Sequence, residues 1–102
     1  MKHEIKNEAG RTVLHIADQL VAADRADFDA VLPNVMAKKA PTIEVDLSGL
    51  TFMDSAGLGM LLTLREHADK HNGTVVLANP QGAVQEMLEL ACFDTLFQIQ
   101  SN

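Results

Sequence analysis

Tryptophan and tyrosine are missing from this chain, and four phenylalanines are its whole aromatic complement. So few rings leave no platform on which successive bases could stack. Basic residues are scarce as well: eight Lys and Arg stand against fourteen Asp and Glu, a formal charge of −6 with His neutral. A chain of that sign repels phosphate backbones and anionic lipid surfaces, which argues against nucleic-acid binding and membrane adsorption. A single cysteine, Cys92, excludes an internal disulfide and any thiolate metal cluster. The richest apolar stretch, Leu58-Gly59-Met60-Leu61-Leu62-Thr63-Leu64, is too short to span a bilayer. The polar opening Met1-Lys2-His3-Glu4-Ile5-Lys6 has no apolar run of the signal-peptide kind. A cytoplasmic protein without membrane insertion is expected. No repeat, low-complexity tract or linker interrupts the 102 residues, so one domain over 1–102 is expected. With 47% apolar and 22% charged residues, the chain can bury a core rather than stay disordered.

Hydrophobic periodicity lays out the elements. Residues 3–8 and 12–17 read as two strands around the Ala9-Gly10 turn, with Leu14 and Ile16 on one face and Val13 and His15 on the other. Asp24 reads as a helix N-cap, followed by the stripe Phe28, Val31, Leu32, Val35 and Met36. Pro33 falls inside that helix but off the stripe, so a solvent-side kink is expected rather than a lost helix. Thr42-Ile43-Glu44-Val45-Asp46-Leu47 alternates strictly and is the best strand of the chain, with Ser48-Gly49 as a break. A second helix is expected from Ser55 to about Asn72, burying Leu58, Leu61, Leu62 and Ala68 and ending in a left-handed Gly73. Thr74 to Ala78 reads as a buried strand. Asn79-Pro80 reads as the start of a third helix with the stripe Val84, Met87, Leu88, Ala91 and Cys92. Leu96 to Ile99 closes the chain as a short strand. Strands separated by helices need crossover connections. The expected fold is therefore α/β, a mixed but mostly parallel sheet of four or five strands with helices mainly on one face.

Met53-Asp54-Ser55-Ala56-Gly57-Leu58-Gly59 is the segment that carries chemistry. It sets a Ser where a strand gives way to a helix and then places two glycines in the first helical turns. Each Gly costs roughly 0.8–1 kcal/mol relative to Ala in a helix interior, so something should compensate. Small residues leave a helix N-terminus bare, and its free N–H groups and positive dipole end favour an anion such as a phosphate. A plainer alternative stays open: Ser55 is only the N-cap and the glycines only pack against the sheet. A nucleophile elbow does not fit, because Met53 stands where that motif needs Gly. A small hydrolase acting through Ser55 is therefore the weakest of the readings. No phosphate-binding Gly-Lys-Ser/Thr loop is present, and Asn79-Pro80-Gln81-Gly82 is a turn, so no nucleotide cofactor is expected.

The run Val45-Asp46-Leu47-Ser48-Gly49-Leu50-Thr51-Phe52-Met53-Asp54-Ser55-Ala56-Gly57-Leu58-Gly59, with the ending Phe93-Asp94-Thr95-Leu96-Phe97, resembles the STAS domain family, specifically the stand-alone bacterial anti-sigma factor antagonists. The resemblance covers nearly the whole chain and implies the anti-sigma factor antagonist fold. It also implies a partner switch. The unphosphorylated domain would bind an anti-sigma factor that is also a serine kinase and so release the sigma factor. Phosphorylation at Ser55 would end that binding, and a protein serine phosphatase, possibly linked to a response regulator, would reset it. Met53, Asp54, Ser55, Ala56, Gly57, Leu58 and Gly59 would form the partner surface, with Met53 and Met60 as candidates for exposure. The domain would be a regulator, not an enzyme. Many antagonists carry Gly-x-Leu-Asp after the second strand; here that stretch is Asp18-Gln19-Leu20-Val21. Lipid-transport STAS subunits also carry Asp-Ser-Ala-Gly, so a subunit binding the ATPase of a lipid-transporting ABC system is the alternative.

The remaining candidates read more simply. His67 and His71 lie four apart but lack a third ligand, and a zinc site needs three or four. His15 alternates with core positions and is expected to be packed or solvated. Cys92, at the end of an apolar stripe, is expected to be a small core residue.

Overall fold

Alternating and 3.6-period apolar patterns settle into five strands and three helices in the computed structural model, which describes residues 1–101. Strands β1 (Lys2–Glu8) and β2 (Arg11–Leu20) form the hairpin, with Gly10 supplying the left-handed conformation of its turn at φ +71. A short 3-10 turn, Ala22–Asp24, leads into α1 (Arg25–Met36). Then follow β3 (Thr42–Met53), α2 (Ser55–Asp69), β4 (Thr74–Ala78), α3 (Gly82–Leu90), a 3-10 turn at Phe93–Thr95, and β5 (Gln98–Gln100). The sheet order is β1-β2-β3-β4-β5, antiparallel between β1 and β2 and parallel elsewhere.

That order dictates where the helices go. All three β-α-β crossovers advance across the sheet in one direction, and right-handed crossovers then stack their helices on a single face. The core confirms the geometry. Leu14, Ile16, Ile43, Val45, Leu47, Val75 and Leu77 point to that face and pack with the buried faces of α1, α2 and α3 in one cluster. Among the described residues no helix covers the opposite face, where Arg11 pairs with Glu44 at 2.6 Å and His15 lies 2.9 Å from Asp46, beside the buried Val13 and Val76. His15 is thus half-exposed, with its Nδ1 against the Asp46 carboxylate, rather than packed in a core.

Several expectations about individual elements need correction. Ser48-Gly49 does not end a strand. β3 runs through it to Met53, and the β2–β3 register shifts between His15 and Ala17 and again between Asp18 and Gln19. Each shift inserts a residue into β3, so Leu47, Leu50 and Met53 are buried at intervals of three rather than two. The buried stripe of α2 is Gly57, Met60, Leu61, Leu64 and Ala68, while Leu58 and Leu62 are only partly covered. Asn72, not Gly73, takes the left-handed position after α2, at φ +63. α3 starts at Gly82 with Gln81 as N-cap, because Asn79 is left-handed at φ +59 and gives its N–H to the Gln100 carbonyl. Cys92 is exposed, in a left-handed conformation that turns the chain away from α3, so it is not a core residue. The closing strand begins at Gln98, since Phe97 turns into the core against Phe93. Pro33 sits exposed within an uninterrupted α1.

The polar face supplies a pH prediction. Burial works against the charge on Asp46, but the Ser48 N–H and hydroxyl, the Asn79 amide and His15 together hold its carboxyl below the ordinary range. A carboxyl depressed on folding stabilises the native state above its unfolded pKa of about 3.9, and that stabilisation is lost as pH falls through the folded value. Asp46→Asn should therefore lower stability at neutral pH and flatten the loss seen in acid. Urea unfolding of both proteins across the acid range checks this; parallel acid limbs would contradict it.

Candidate functional site

The functional turn lies at the C-terminal end of β3, where the last strand residues deliver Asp54 and Ser55 to the start of α2. Asp54 is the N-cap, in extended conformation, and its carboxylate Oδ1 accepts the Gly57 N–H at 3.0 Å. Its other oxygen accepts the Ala22 N–H at 3.2 Å, while its own N–H donates to the Leu20 carbonyl at 3.4 Å. One carboxylate thus joins the start of α2 to the loop between β2 and α1. Ser55 is the first helical residue and is exposed; its hydroxyl takes no part in the cap. The cap-only reading of Ser55 is set aside on this geometry, because Asp54 does that work.

The two glycines divide. Gly57 is buried, and a Cβ there would overlap the Leu20 carbonyl oxygen and Cγ of Met53. Its small size is a packing requirement. At Gly59 a Cβ would meet nothing within 4 Å, so no local contact demands Gly. Met53 and Met60 are 2% and 0% exposed, so the expectation of exposed methionines is corrected: both anchor the turn from below. Asp54, Ser55, Ala56, Leu58 and Gly59 remain at least partly accessible, and Gly57 does not.

Two neighbours escaped the sequence reading. Phe52, 51% exposed, is one of the large apolar side chains left in solvent, two residues before Asp54. Only the bulges in β3 reveal that Phe52 faces out and Met53 faces in. The loop Val21-Ala22-Ala23 abuts the site through Ala22. Asp24 does not cap α1 with its side chain; it is buried and accepts the Val21 N–H at 2.9 Å and the Met1 amino group at 2.8 Å. The amino group, first, and the Val21 N–H hold its carboxyl below the ordinary range. Asp18, at the position where many antagonists carry Gly, adopts φ +69, a conformation Asp tolerates better than most residues.

A stability contrast follows from the cap. Asp54→Ala should cost about 1–2 kcal/mol through the lost cap, whereas Ser55→Ala should stay within about 0.5 kcal/mol. Urea unfolding of the two variants distinguishes them; equal losses would mean that Ser55 shares the capping.

No helix is long and apolar enough to cross a membrane among the described residues. The His67 and His71 rings engage the Thr63 and Ala40 carbonyls at 2.9 and 3.2 Å, and no group of three or more His, Cys, Asp or Glu able to hold a metal occurs among the described residues.

Comparison with known proteins gives a consistent picture of the fold. Residues 3–99 match the family model described as Mlab, STAS domain. A STAS-domain containing protein of Pseudomonas aeruginosa (strain UCBPP-PA14) is 46% identical over 55 residues, 54% of this chain and 54% of that protein, so the match spans about half the length of the curated relative. The crystal structure of an anti-sigma factor antagonist from Mycobacterium paratuberculosis superposes with a TM-score of 0.87 at 20% identity, covering 99% of this chain and 86% of that one. The Bacillus cell fate determinant SpoIIAA in its phosphorylated form superposes with a TM-score of 0.71 at 18% identity, covering 96% of this chain and 90% of that one.

Proposed function

The chain belongs to the STAS domain family, and from that membership and the geometry of the Asp54-Ser55 turn we propose that it is an anti-sigma factor antagonist, acting in the cytoplasm as one domain. In its unphosphorylated form it binds an anti-sigma factor that is also a serine kinase, and the sigma factor is released. The kinase then directs the Ser55 hydroxyl onto the γ-phosphorus of its ATP. A new O–P bond forms, the bond to ADP breaks, and the hydroxyl proton leaves to the kinase. Phosphorylated Ser55 no longer supports binding, and a serine phosphatase restores the hydroxyl by hydrolysis. The domain contributes the acceptor and the surface; the partners contribute the catalysis.

The observation that carries this reading is the exposed hydroxyl of Ser55 at the first position of α2, relieved of capping by Asp54. A phosphate there would meet the positive end of a 15-residue helix. Exposed Phe52 and partly exposed Leu58, close in sequence to Ser55, offer apolar surface of the kind that forms the core of a partner interface. The likeness to structures of anti-sigma factor antagonists, one of them in a phosphorylated form, supports the assignment.

The run Asp54-Ser55-Ala56-Gly57, which lipid-transport STAS subunits also carry, favours one second reading: a STAS subunit bound to the ATPase of a lipid-transport ABC system. Affinity capture with wild-type and Ser55→Asp proteins separates the two. The switch reading expects a kinase retained by wild type, depleted by Ser55→Asp, and able to phosphorylate Ser55 when ATP is supplied, as mapped by mass spectrometry. An ABC ATPase captured equally by both would overturn it.

A further inference from the structure

Strand β1 is an open edge. Among the described residues it pairs only with β2, and its other side borders no element. Natural sheets blunt such edges with short strands, bulges, Pro, charged side chains or a covering element. β1 runs for seven residues, contains no Pro or Gly, and pairs with β2 without a register shift. It does carry charged side chains, but of both signs, so whether they repel or attract another strand depends on their order. Ile5 pairs with Leu14 and packs against the core, so it lies on the helix side, and Lys2, Glu4, Lys6 and Glu8 lie on the open side. Those four read +, −, +, − along the strand.

That order has a symmetry. An antiparallel copy of β1, related by a two-fold axis normal to the sheet through Ile5, sets Lys2 against Glu8 of the second copy and Glu4 against its Lys6. Both pairs recur by symmetry. His3 faces Asn7 on the helix side, and Ile5 faces Ile5 across the axis. The two-fold keeps helix face with helix face, as an isologous contact requires. Parallel pairing in the same register would set like charge on like charge. The edge is also locally neutral in a chain that carries −6, which spares it the repulsion of the rest of the surface. The opposite edge, β5, has three residues and no such pattern.

We propose that β1 is a homodimerisation edge, joining two copies by antiparallel β1–β1 pairing into one ten-stranded sheet whose register is set by the Lys2–Glu8 and Glu4–Lys6 pairs. A joint of one strand is small, so the dimer is concentration-dependent and sensitive to these four charges.

Sedimentation velocity over a concentration series tests it with three proteins: wild type, Lys2→Glu/Lys6→Glu with a wholly acidic edge, and Glu4→Lys/Glu8→Lys with a wholly basic one. Wild type should dimerise. Each variant alone should dissociate more readily by roughly a hundredfold, because like charges then oppose each other across the axis. An equimolar mixture of the two variants should dimerise again. Thermal unfolding confirms that each variant is folded. For wild type alone, hydrogen exchange should slow at β1 amides as concentration rises. Wild type that stays monomeric, variant dimers of unchanged affinity, a mixture that does not associate, or β1 exchange independent of concentration would each overturn the proposal.

Discussion

Gly57→Leu should be a folding defect and not a binding defect, with a loss of about 3 kcal/mol or more relative to wild type. The family resemblance placed Gly57 in the partner surface, where a bulky residue would be expected to block a partner and spare the fold. The geometry corrects that idea. A Cβ at Gly57 would overlap the Leu20 carbonyl oxygen and Cγ of Met53. Neither can yield easily. The Leu20 carbonyl also accepts the Asp54 N–H, and Met53 is wholly buried beneath the turn. Relief requires α2 to lift from the end of β2, which would break the Ala22–Asp54 and Asp54–Leu20 bonds together. A domain this size has about 5–15 kcal/mol of total stability, so such a loss removes a large share of it. Thermal and urea unfolding read it directly, and a Gly57→Leu protein as stable as wild type would refute the packing account. Gly59→Leu is the matched control. Its Cβ enters open space, so the variant should fold normally while presenting a bulky side chain one turn from Ser55. Under the proposed function it, and not Gly57→Leu, is the variant that folds and loses its partner.

The contrast between these glycines shows where the sequence was legible. Strict alternation from Thr42 to Leu47 and the stripe from Phe28 to Val35 appear in the structure as read, because one buried face is enough to fix phase within a regular element. The layering needed more than the order of elements along the chain: crossovers of one hand put every helix on one face only because the strands also advance across the sheet in one direction. Phase was lost where regularity was lost. Two bulges in the β2–β3 pairing rotate Phe52 outward and Met53 inward, and no periodicity in Leu50-Thr51-Phe52-Met53 signals them. Left-handed residues were legible only when they were Gly: Gly10 was read as a turn, whereas Asn79 and Cys92 moved the start of α3 and exposed a residue assigned to the core. At the site, the Asp-Ser pair was visible, but which of the two capped the helix was not. Both residue types cap well, and the choice depends on the long-range bond from Ala22 to Asp54, a contact 32 residues apart in sequence.

Phosphorylation of Ser55 should weaken kinase binding by about 3–4 kcal/mol, a few hundredfold, without unfolding the domain. The phosphate would add about −1.5 to −2 charges at pH 7. On its own chain that charge is well placed. It sits at the positive end of α2, and the neighbouring Asp54 carboxylate is already occupied by the Gly57 and Ala22 N–H groups. Ser55 is exposed, so neither Ala nor a phosphate there disturbs packing. Against a partner the balance reverses. A kinase that phosphorylates Ser55 must bring the γ-phosphate of its nucleotide to this hydroxyl, and after transfer two anionic groups would share a site closed to water. Desolvating the dianion without a cationic partner adds to the cost. Ser55→Ala removes the acceptor but leaves the surface, so it should bind the kinase as tightly as wild type and remain bound when ATP is added. Ser55→Asp carries less charge than a phosphate and should fall between them. Calorimetry on wild-type, Ala, Asp and enzymatically phosphorylated proteins gives the series, with matching unfolding curves to show that each is folded. Equal affinities across all four would sink the switch and favour the transporter-subunit reading, in which the partner contacts α2 without chemistry at Ser55.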